Sequence, residues 1–307
     1  MSSNDRKRAK ITARVQKKAV QLVKPRVDER TWARLRDPLQ RRPPTPVEGP
    51  PSPSLNELAK LYRTDKWGLH WYTEHYERHL KHLRDDEFTL LEIGIGGYKH
   101  DGRGGQSLRM WQAFFPRAQI RGLDIEDKSF VDGDRIRTYQ GSQVDPAVLA
   151  QIFGDAGEIK VVIDDGSHRP EHIRESFARI FPLLAADGIY AIEDTQTSYW
   201  PIWGGSELLH DPTTTMAMVK DLLDGLHYEE FTDDAYEPTY ADRNVRSVHA
   251  YHNLVIIEKG SNVEGTNRSR AKRTLEQDDP AFVVPPPVNE QRRPFSVPMH
   301  DRDLPAD

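Results

Sequence analysis

Four short apolar runs, each ending in glycine or an acidic residue, restrict this chain to few folds. They are FTLLEIGIGG (88–97), QIRGLDIE (119–126), KVVIDDGS (160–167) and GIYAIED (188–194). Such runs are typical of parallel strands that are buried on both faces. Segments with helical spacing separate them, namely SLRMWQAFF (107–115), PAVLAQIF (146–153) and PEHIRESFARIFPLL (170–184). The alternation predicts an α/β fold: a doubly wound, mostly parallel sheet with helices on both faces.

Three further segments complete the predicted sheet. RIRTY (135–139) has the composition of a short strand, and so do LHYEEFTD (226–233) and SVHAYHNLVIIEKG (247–260). The last two are close together in the chain, which favours an antiparallel hairpin at the end of the sheet. The sequence therefore predicts seven strands, of which the final pair is antiparallel.

Composition divides the chain into three zones. Residues 1–54 are basic and then Pro-rich, residues 55–259 hold the predicted sheet behind a helical segment (55–85), and residues 260–307 are again polar and Pro-rich. Both ends are expected to be disordered, because proline-rich polar segments bury too little apolar surface. Apolar residues at helical spacing between 11 and 22 leave one alternative open, a basic amphipathic helix that contacts an anionic membrane surface or nucleic acid.

The bulk composition excludes several kinds of chemistry. There is no cysteine, which rules out disulfides, thiolate metal sites and a cysteine nucleophile. The net charge of -5 predicts no general affinity for nucleic acid. No apolar run approaches the ~20 residues of a membrane span. We therefore expect a cytoplasmic protein whose contact with membrane, if any, comes through the basic tail.

The first predicted strand ends in a glycine-rich turn beside an acid. It reads Glu92-Ile93-Gly94-Ile95-Gly96-Gly97, followed by a long polar loop instead of a helix. Glycines let the backbone approach a ligand closely, but a dinucleotide fingerprint would lead directly into the helix that holds its phosphates. Glu92 would repel phosphate and bind an amino-acid ammonium, while Asp124, at the end of the next strand, is placed to accept ribose hydroxyls. The pattern favours S-adenosylmethionine over NAD. The alternative for Asp124 is a helix N-cap.

Acids also end the two strands that are expected to be neighbours. One strand ends Asp164-Asp165-Gly166-Ser167-His168, and the other ends Glu193-Asp194. Acids brought together at one edge require a cation, and oxygen ligands favour Mg²⁺, then Mn²⁺ or Ca²⁺. Asp165, Glu193 and Asp194 are candidate ligands that leave room for two substrate hydroxyls. His168 is a candidate general base. The alternatives are acids that cap helices and a structural or solvent-exposed histidine.

Together, E-I-G-I-G-G, the strand-end Asp124, I-D-D-G-S-H, I-E-D-T and the earlier stretch LAKLYRTDK (58–66) resemble the macrolide-sugar O-methyltransferases. The resemblance covers roughly residues 55–258 and implies a class I methyltransferase fold that methylates one hydroxyl of a Mg²⁺-bound sugar diol in antibiotic biosynthesis. It implies the metal and base roles given above, and it places Glu92, Asp124, Ser142, Gln143 and Asp164 around S-adenosylmethionine. It also implies that residues 55–85 form a lid over the cofactor, with Lys66, His70 and Tyr72 near the site.

These sequence patterns say less about the acceptor, the molecule that receives the methyl group. The macrolide enzymes have a further N-terminal domain where this chain has a basic, Pro-rich segment, so the acceptor can be any small-molecule or oligosaccharide glycoside. Trp200 and Trp203 are acceptor-pocket candidates because aromatic faces stack on sugar rings, and Tyr72 is a third; plain packing is the alternative for all three. Two other functions stay open: a Mg²⁺-dependent catechol or small-phenol methyltransferase, and a binding or scaffold protein on a methyltransferase core. A homo-oligomer is expected.

Overall fold

The computed structural model describes residues 52–98 and 102–266. The helical pattern of residues 11–22 and the Pro-rich segment up to residue 51 lie outside the described residues, as does the C-terminal tail from residue 267. Their expected disorder stays a prediction. Within the described ranges, every helix is too short or too polar to cross a lipid bilayer.

A seven-stranded sheet forms the centre of the described chain, and its strand order is β3-β2-β1-β4-β5-β7-β6. The first five strands pair in parallel, while β7 is antiparallel to both β5 and β6. The order reverses between β1 and β4, which opens a crevice at their carboxyl ends. The strands are β1 (Thr89–Ile93), β2 (Gln119–Asp124), β3 (Ile136–Gln140), β4 (Ile159–Asp164), β5 (Ile189–Glu193), β6 (Val245–Tyr251) and β7 (Leu254–Lys259).

Helices cover both faces of this sheet, as predicted. Single turns of 3₁₀-helix follow several of them, including Lys81–Leu83 and Phe181–Leu183, and two more, Thr195–Tyr199 and Pro201–Trp203, follow β5. The α-helices are α1 (Leu55–Tyr62), α2 (Thr73–Leu80), α3 (Gln106–Phe114), α4 (Pro146–Ala156), α5 (Pro170–Ile180), α6 (Thr215–Gly225) and α7 (Tyr240–Asn244).

Alternation along the buried strands divides the core into two layers. In β1, Leu90 belongs to the layer that holds Trp111 of α3, whereas Leu91 and Ile93 belong to the layer that holds Phe177 of α5. All five β1 residues are buried, because helices lie on both sides. This explains why β1 is mostly apolar, with Glu92 as its one charged residue, and lacks the regular polar alternation of a half-exposed strand.

The predicted hairpin is present, but one of its strands was wrongly placed. Residues 226–233 form no strand; they contain a 3₁₀ turn at Tyr228–Glu230. Both hairpin strands lie within the segment 247–260 and its immediate N-terminal extension, joined at His252 and Asn253. Asn253 adopts a positive φ of 63°, a conformation that asparagine tolerates without glycine. The absence of a glycine concealed the turn in the sequence.

The segment before the sheet folds as a helical pair. Ser54 caps α1 in a reciprocal box with Glu57, and Arg63 ends the helix in the left-handed conformation. Leu55 and Leu58 of α1 and Tyr76 of α2 pack in the layer that holds α3. The connection between α1 and α2 passes over the carboxyl edge of the sheet, and it carries Lys66 into the interior.

Candidate active site

The glycine turn after β1 packs directly on the loop after β4. Gly94 has a φ of +87°, and a Cβ there would lie 2.1 Å from the backbone oxygen of Asp165. The Asp165 backbone N–H donates to the Ile93 oxygen at 2.9 Å, which fixes the two strand ends together. Gly96 also has a positive φ, and among the described residues other than its two chain neighbours, no atom lies within 4 Å of its Cβ position. The turn therefore leaves open space on one side, where a ligand could approach the backbone.

Asp124 braces this glycine turn. Its Oδ2 accepts a hydrogen bond from the Ile95 backbone N–H at 2.8 Å, and its Oδ1 accepts one from the Glu126 backbone N–H at 2.9 Å. Asp124 caps no helix in the described chain, so the alternative interpretation from the sequence is not observed. Its contact with ribose stays a prediction.

Lys66 is a buried cation at the centre of the predicted acid cluster. Its Nζ lies 2.6 Å from Glu193 Oε1, 2.9 Å from Asp165 Oδ2 and 3.1 Å from Glu92 Oε1. The Lys66 side chain is only 1% exposed. Burial alone lowers the pKa of this ammonium, but the three carboxylates outweigh burial and raise the pKa well above its usual value. Lys66 therefore remains protonated and supplies positive charge that the clustered acids require.

The acids around Lys66 are themselves perturbed. Burial and repulsion from Asp165 raise the pKa of Glu193 well above its usual value, although Lys66 opposes this. Burial likewise raises the pKa of Glu92 and of Asp165. Both carboxylate oxygens of Glu92 are buried. Oε1 lies 3.1 Å from Lys66 Nζ, and hydrogen bonds from the Ser107 and Lys66 side chains favour the charged carboxylate. A contact of Glu92 with an amino-acid ammonium stays a prediction.

Two tyrosines of the helical segment donate to the acids that end β5. Tyr76 OH donates to Glu193 Oε1 at 2.7 Å. Tyr72 OH donates to Asp194 Oδ1 at 2.8 Å, and Tyr72 is only 3% exposed. The structure thus places Tyr72 beneath a predicted metal ligand, and its predicted contact with substrate stays untested. Tyr76 is not among the predicted site residues. In the sequence, only its position one helical turn after Tyr72 indicates that the two side chains share a helix face.

Three of the predicted residues form a group that can hold a cation. Oxygen atoms of Asp165 and Asp194 and a ring nitrogen of His168 all lie within 4.8 Å of one another. His168 Nε2 is 3.9 Å from Asp194 Oδ2. His168 and Asp194 each have a φ of +54°, and strained residues of this kind are concentrated at functional sites. The two carboxylates supply oxygen ligands of the kind that Mg²⁺ or Mn²⁺ prefers, and the imidazole of His168 lies beside them.

Glu193 does not belong to this group in the described structure. Its Oε1 is occupied by Lys66 and Tyr76, so its predicted role as a metal ligand would depend on the second oxygen. The nitrogen Nδ1 of His168 is buried and accepts or donates no hydrogen bond within the described chain. The more exposed Nε2 is therefore the atom that a substrate can reach.

The residues that the resemblance places around S-adenosylmethionine lie in two different environments. Asp164 is 1% exposed and accepts hydrogen bonds from Ser176 Oγ at 2.7 Å, Tyr190 OH at 3.0 Å and Gln143 Nε2 at 3.0 Å. Gln143 Oε1 in turn accepts the Ser167 backbone N–H at 2.9 Å. These contacts shape the loop that ends at His168. A direct contact of Asp164 or Gln143 with a cofactor stays a prediction.

Ser142 and the two candidate tryptophans lie nearer to solvent. Ser142 is half-buried, and its Oγ accepts the Val144 backbone N–H at 3.4 Å. Trp203 is 39% exposed, and its ring centre lies 5.8 Å from that of His168 in an edge-to-face arrangement. Trp200 is 47% exposed. The Trp203 ring is therefore available beside the candidate base, and a contact of Trp200 and Trp203 with an acceptor stays a prediction.

This strand order, with a glycine turn after β1 and acids after β2, β4 and β5, defines a class I methyltransferase fold. No protein-family model matches the chain. It is, however, 50% identical over 216 residues to demethylmacrocin O-methyltransferase of Streptomyces fradiae, a match over 69% of this chain and 55% of that protein. It is 48% identical over 223 residues to mycinamicin VI 2''-O-methyltransferase of Micromonospora griseorubida, over 71% of this chain and 55% of that protein.

A solved structure agrees with these relatives. MycE methyltransferase from the mycinamycin biosynthetic pathway, in complex with Mg and SAH, is 45% identical and superposes with a TM-score of 0.71, covering 77% of this chain and 61% of that one. Over about 70% of its length, the chain is similar in sequence to macrolide-sugar O-methyltransferases, and it shares their class I fold. It spans about half the length of the curated relatives that it matches.

Proposed function

We propose that this chain transfers the methyl group of S-adenosylmethionine to a hydroxyl of a sugar unit in a glycoside, in antibiotic biosynthesis. The observation that carries the proposal is the group formed by Asp165, His168 and Asp194, next to a glycine turn with open space at Gly96. The relatives named above act on macrolide sugars, and this supports a glycosylated small molecule as the acceptor.

The cofactor and the metal fit the residues that are present. Glu92 offers a buried carboxylate whose Oε1 contacts Lys66, and the turn at Gly96 can admit the amino-acid portion of S-adenosylmethionine. Asp165 and Asp194 would hold Mg²⁺ or Mn²⁺, with Glu193 as a further candidate ligand. A bound divalent ion would lower the pKa of a coordinated sugar hydroxyl and orient it.

The proton and the methyl group then follow separate paths. The acceptor hydroxyl loses its proton to Nε2 of His168, and the carboxylate of Asp194, 3.9 Å from that nitrogen, stabilises the resulting imidazolium. The hydroxyl oxygen attacks the methyl carbon in line, the carbon–sulfur bond breaks, and its electron pair returns to sulfur. Orientation supplies much of the acceleration of such a displacement, and it is provided by the backbone that Gln143 and Asp164 hold in place.

The proposal is tested by methyl transfer from a labelled donor to demethylated macrolide glycosides, with catechol as a comparison acceptor. We expect transfer to the glycoside that stops in excess EDTA and returns with Mg²⁺. His168→Ala should lower kcat by about 10²- to 10⁴-fold while S-adenosylmethionine still binds, and the exposed His252→Ala serves as the control. Transfer to catechol alone, or none to any acceptor with intact cofactor binding, would favour the phenol-directed or non-enzymatic alternative.

A cytoplasmic location and a homo-oligomer accompany this proposal as expectations from the sequence. Analytical ultracentrifugation of the full chain measures the oligomeric state directly.

A further inference from the structure

A second group of metal-ligating side chains lies between α2 and the β6–β7 hairpin. It consists of His79 from the last turn of α2, His249 from β6 and Glu258 from β7, and ligand atoms of all three lie within 4.8 Å of one another. In the antiparallel pairing, Glu258 is opposite Ile189 of β5, whereas Glu193 is opposite Leu254. Four residues along a strand span about 13 Å, so this group is separate from the candidate active site.

The distances match those between the ligands of a tetrahedral ion. Glu258 Oε1 lies 3.2 Å from His79 Nδ1 and 3.7 Å from His249 Nε2. Metal bonds of about 2.0–2.1 Å in a tetrahedral zinc site place neighbouring ligand atoms about 3.3–3.4 Å apart. Small movements of the Glu258 and His249 side chains, with release of the contact between His249 Nε2 and Ser247 Oγ at 3.1 Å, bring all three atoms into coordination around one ion.

The surroundings orient these ligands as outer partners orient the ligands of a metal site. His79 Nε2 lies 2.8 Å from Tyr251 OH, which leaves Nδ1 to face Glu258. The other carboxylate oxygen, Glu258 Oε2, accepts hydrogen bonds from Ser247 Oγ at 2.8 Å and Arg246 at 3.1 Å. Oε1 therefore faces the two imidazoles. Partners of this kind fix the tautomer of a histidine and the orientation of a carboxylate.

Burial makes the group accessible from one side only. His79 is 8% exposed, while the side chains of Glu258 and His249 are 22% and 37% exposed. The exposed side beside His249 leaves a fourth position for water.

From this geometry we propose that His79, His249 and Glu258 bind a zinc ion that fastens α2 to the terminal hairpin. Two imidazoles and one carboxylate are a ligand set that suits zinc and is poorly suited to magnesium. Because α2 also carries Tyr76, which donates to Glu193, the ion would hold the helix that contacts the active-site acids.

The proposal is tested on the full chain after treatment with EDTA and dialysis. Zinc is added in the presence of excess Mg²⁺, and bound zinc per chain is measured by atomic absorption after gel filtration. We expect His249→Gln to lose about one equivalent of zinc relative to the unaltered protein. The control is His252→Gln, since His252 is exposed in the same hairpin, and it should bind as much zinc as the unaltered protein.

Cobalt spectroscopy provides a readout that does not depend on the folding of a variant. Co²⁺ bound to the unaltered protein should give the intense visible absorption of a four-coordinate site, and both His249→Gln and Glu258→Gln should lose it. The absence of that absorption in the unaltered protein would overturn the proposal. So would full zinc binding by both variants, whose far-ultraviolet circular dichroism is recorded to confirm folding.

Discussion

Replacing the buried Lys66 with methionine should strongly lower the free energy of unfolding of the domain. The ammonium lies 2.6, 2.9 and 3.1 Å from three carboxylates, and at these separations each attraction is about 5–6 kcal/mol for an effective dielectric near 20. Desolvation of the buried ions, several kcal/mol each, and repulsion among the acids offset most of this sum. Removing one partner of a buried ion pair costs about 3–5 kcal/mol, and we expect a loss of that size in the free energy of unfolding.

The loss in the free energy of unfolding caused by Lys66→Met should grow as the pH rises. Without Lys66, Glu92 and Glu193 can avoid uncompensated charge only by binding protons, so their folded-state pKa rises further above the unfolded value. A group with a raised folded pKa stabilises at low pH and loses that contribution as pH rises through the folded pKa. The variant should therefore be closest to the unaltered protein near pH 5 and furthest from it near pH 8.

Urea denaturation followed by circular dichroism measures this effect, with the exposed Lys81→Met as the matched control. Lys81→Met should change the free energy of unfolding by less than about 0.5 kcal/mol at both pH values. If Lys66→Met cost no more than its control at pH 8, or if its loss were equal at the two pH values, the assignment of Lys66 as the counter-charge would be refuted.

Other perturbations test neighbouring parts of the same site. Tyr76→Phe removes one of two donors to Glu193 Oε1 and should lower the free energy of unfolding by about 1–3 kcal/mol; an unchanged urea midpoint would contradict this. Gly94→Ala places a Cβ 2.1 Å from a backbone oxygen and should lose more than about 3 kcal/mol, whereas Gly96→Ala, with open space, should lose about 1–2 kcal/mol. Mg²⁺ should raise the Tm of the unaltered protein but not of Asp194→Asn, and an equal rise in both would exclude Asp194 as a ligand.

The sheet could be predicted because its evidence is local. The buried parallel strands are mostly apolar, and each one ends in, or is followed by, glycine or an acid where the chain leaves the core. Neighbouring parallel strands then place those acids together, as β4 and β5 place Asp165 and Asp194. The misplaced strand at 226–233 shows the limit of this reasoning, because apolar and acidic residues at a 3₁₀ turn resemble a short edge strand.

The counter-charge could not be predicted in this way. Lys66 is 99 residues from Asp165 and 127 from Glu193 in the sequence, and no local pattern reports a contact at such a separation. The acids alone indicated that a cation was needed, and a metal was the expected answer. The structure supplies part of that charge from the protein itself. Side chains alternate in direction along a strand, so Asp164 and its neighbour Asp165 lie in different environments. The sequence pair D-D does not reveal this difference.

The position of Lys66 in the chain determines where an exchangeable domain must begin. Lys66 lies in the connection between α1 and α2, outside the sheet that bears Glu92 and Glu193. A chimera that borrowed only the strands and their crossover helices would inherit buried acids without their compensating charge. Such a graft should be insoluble or adopt its fold only in acid, and the exchangeable module therefore begins at the cap of α1, Ser54, well before the first strand.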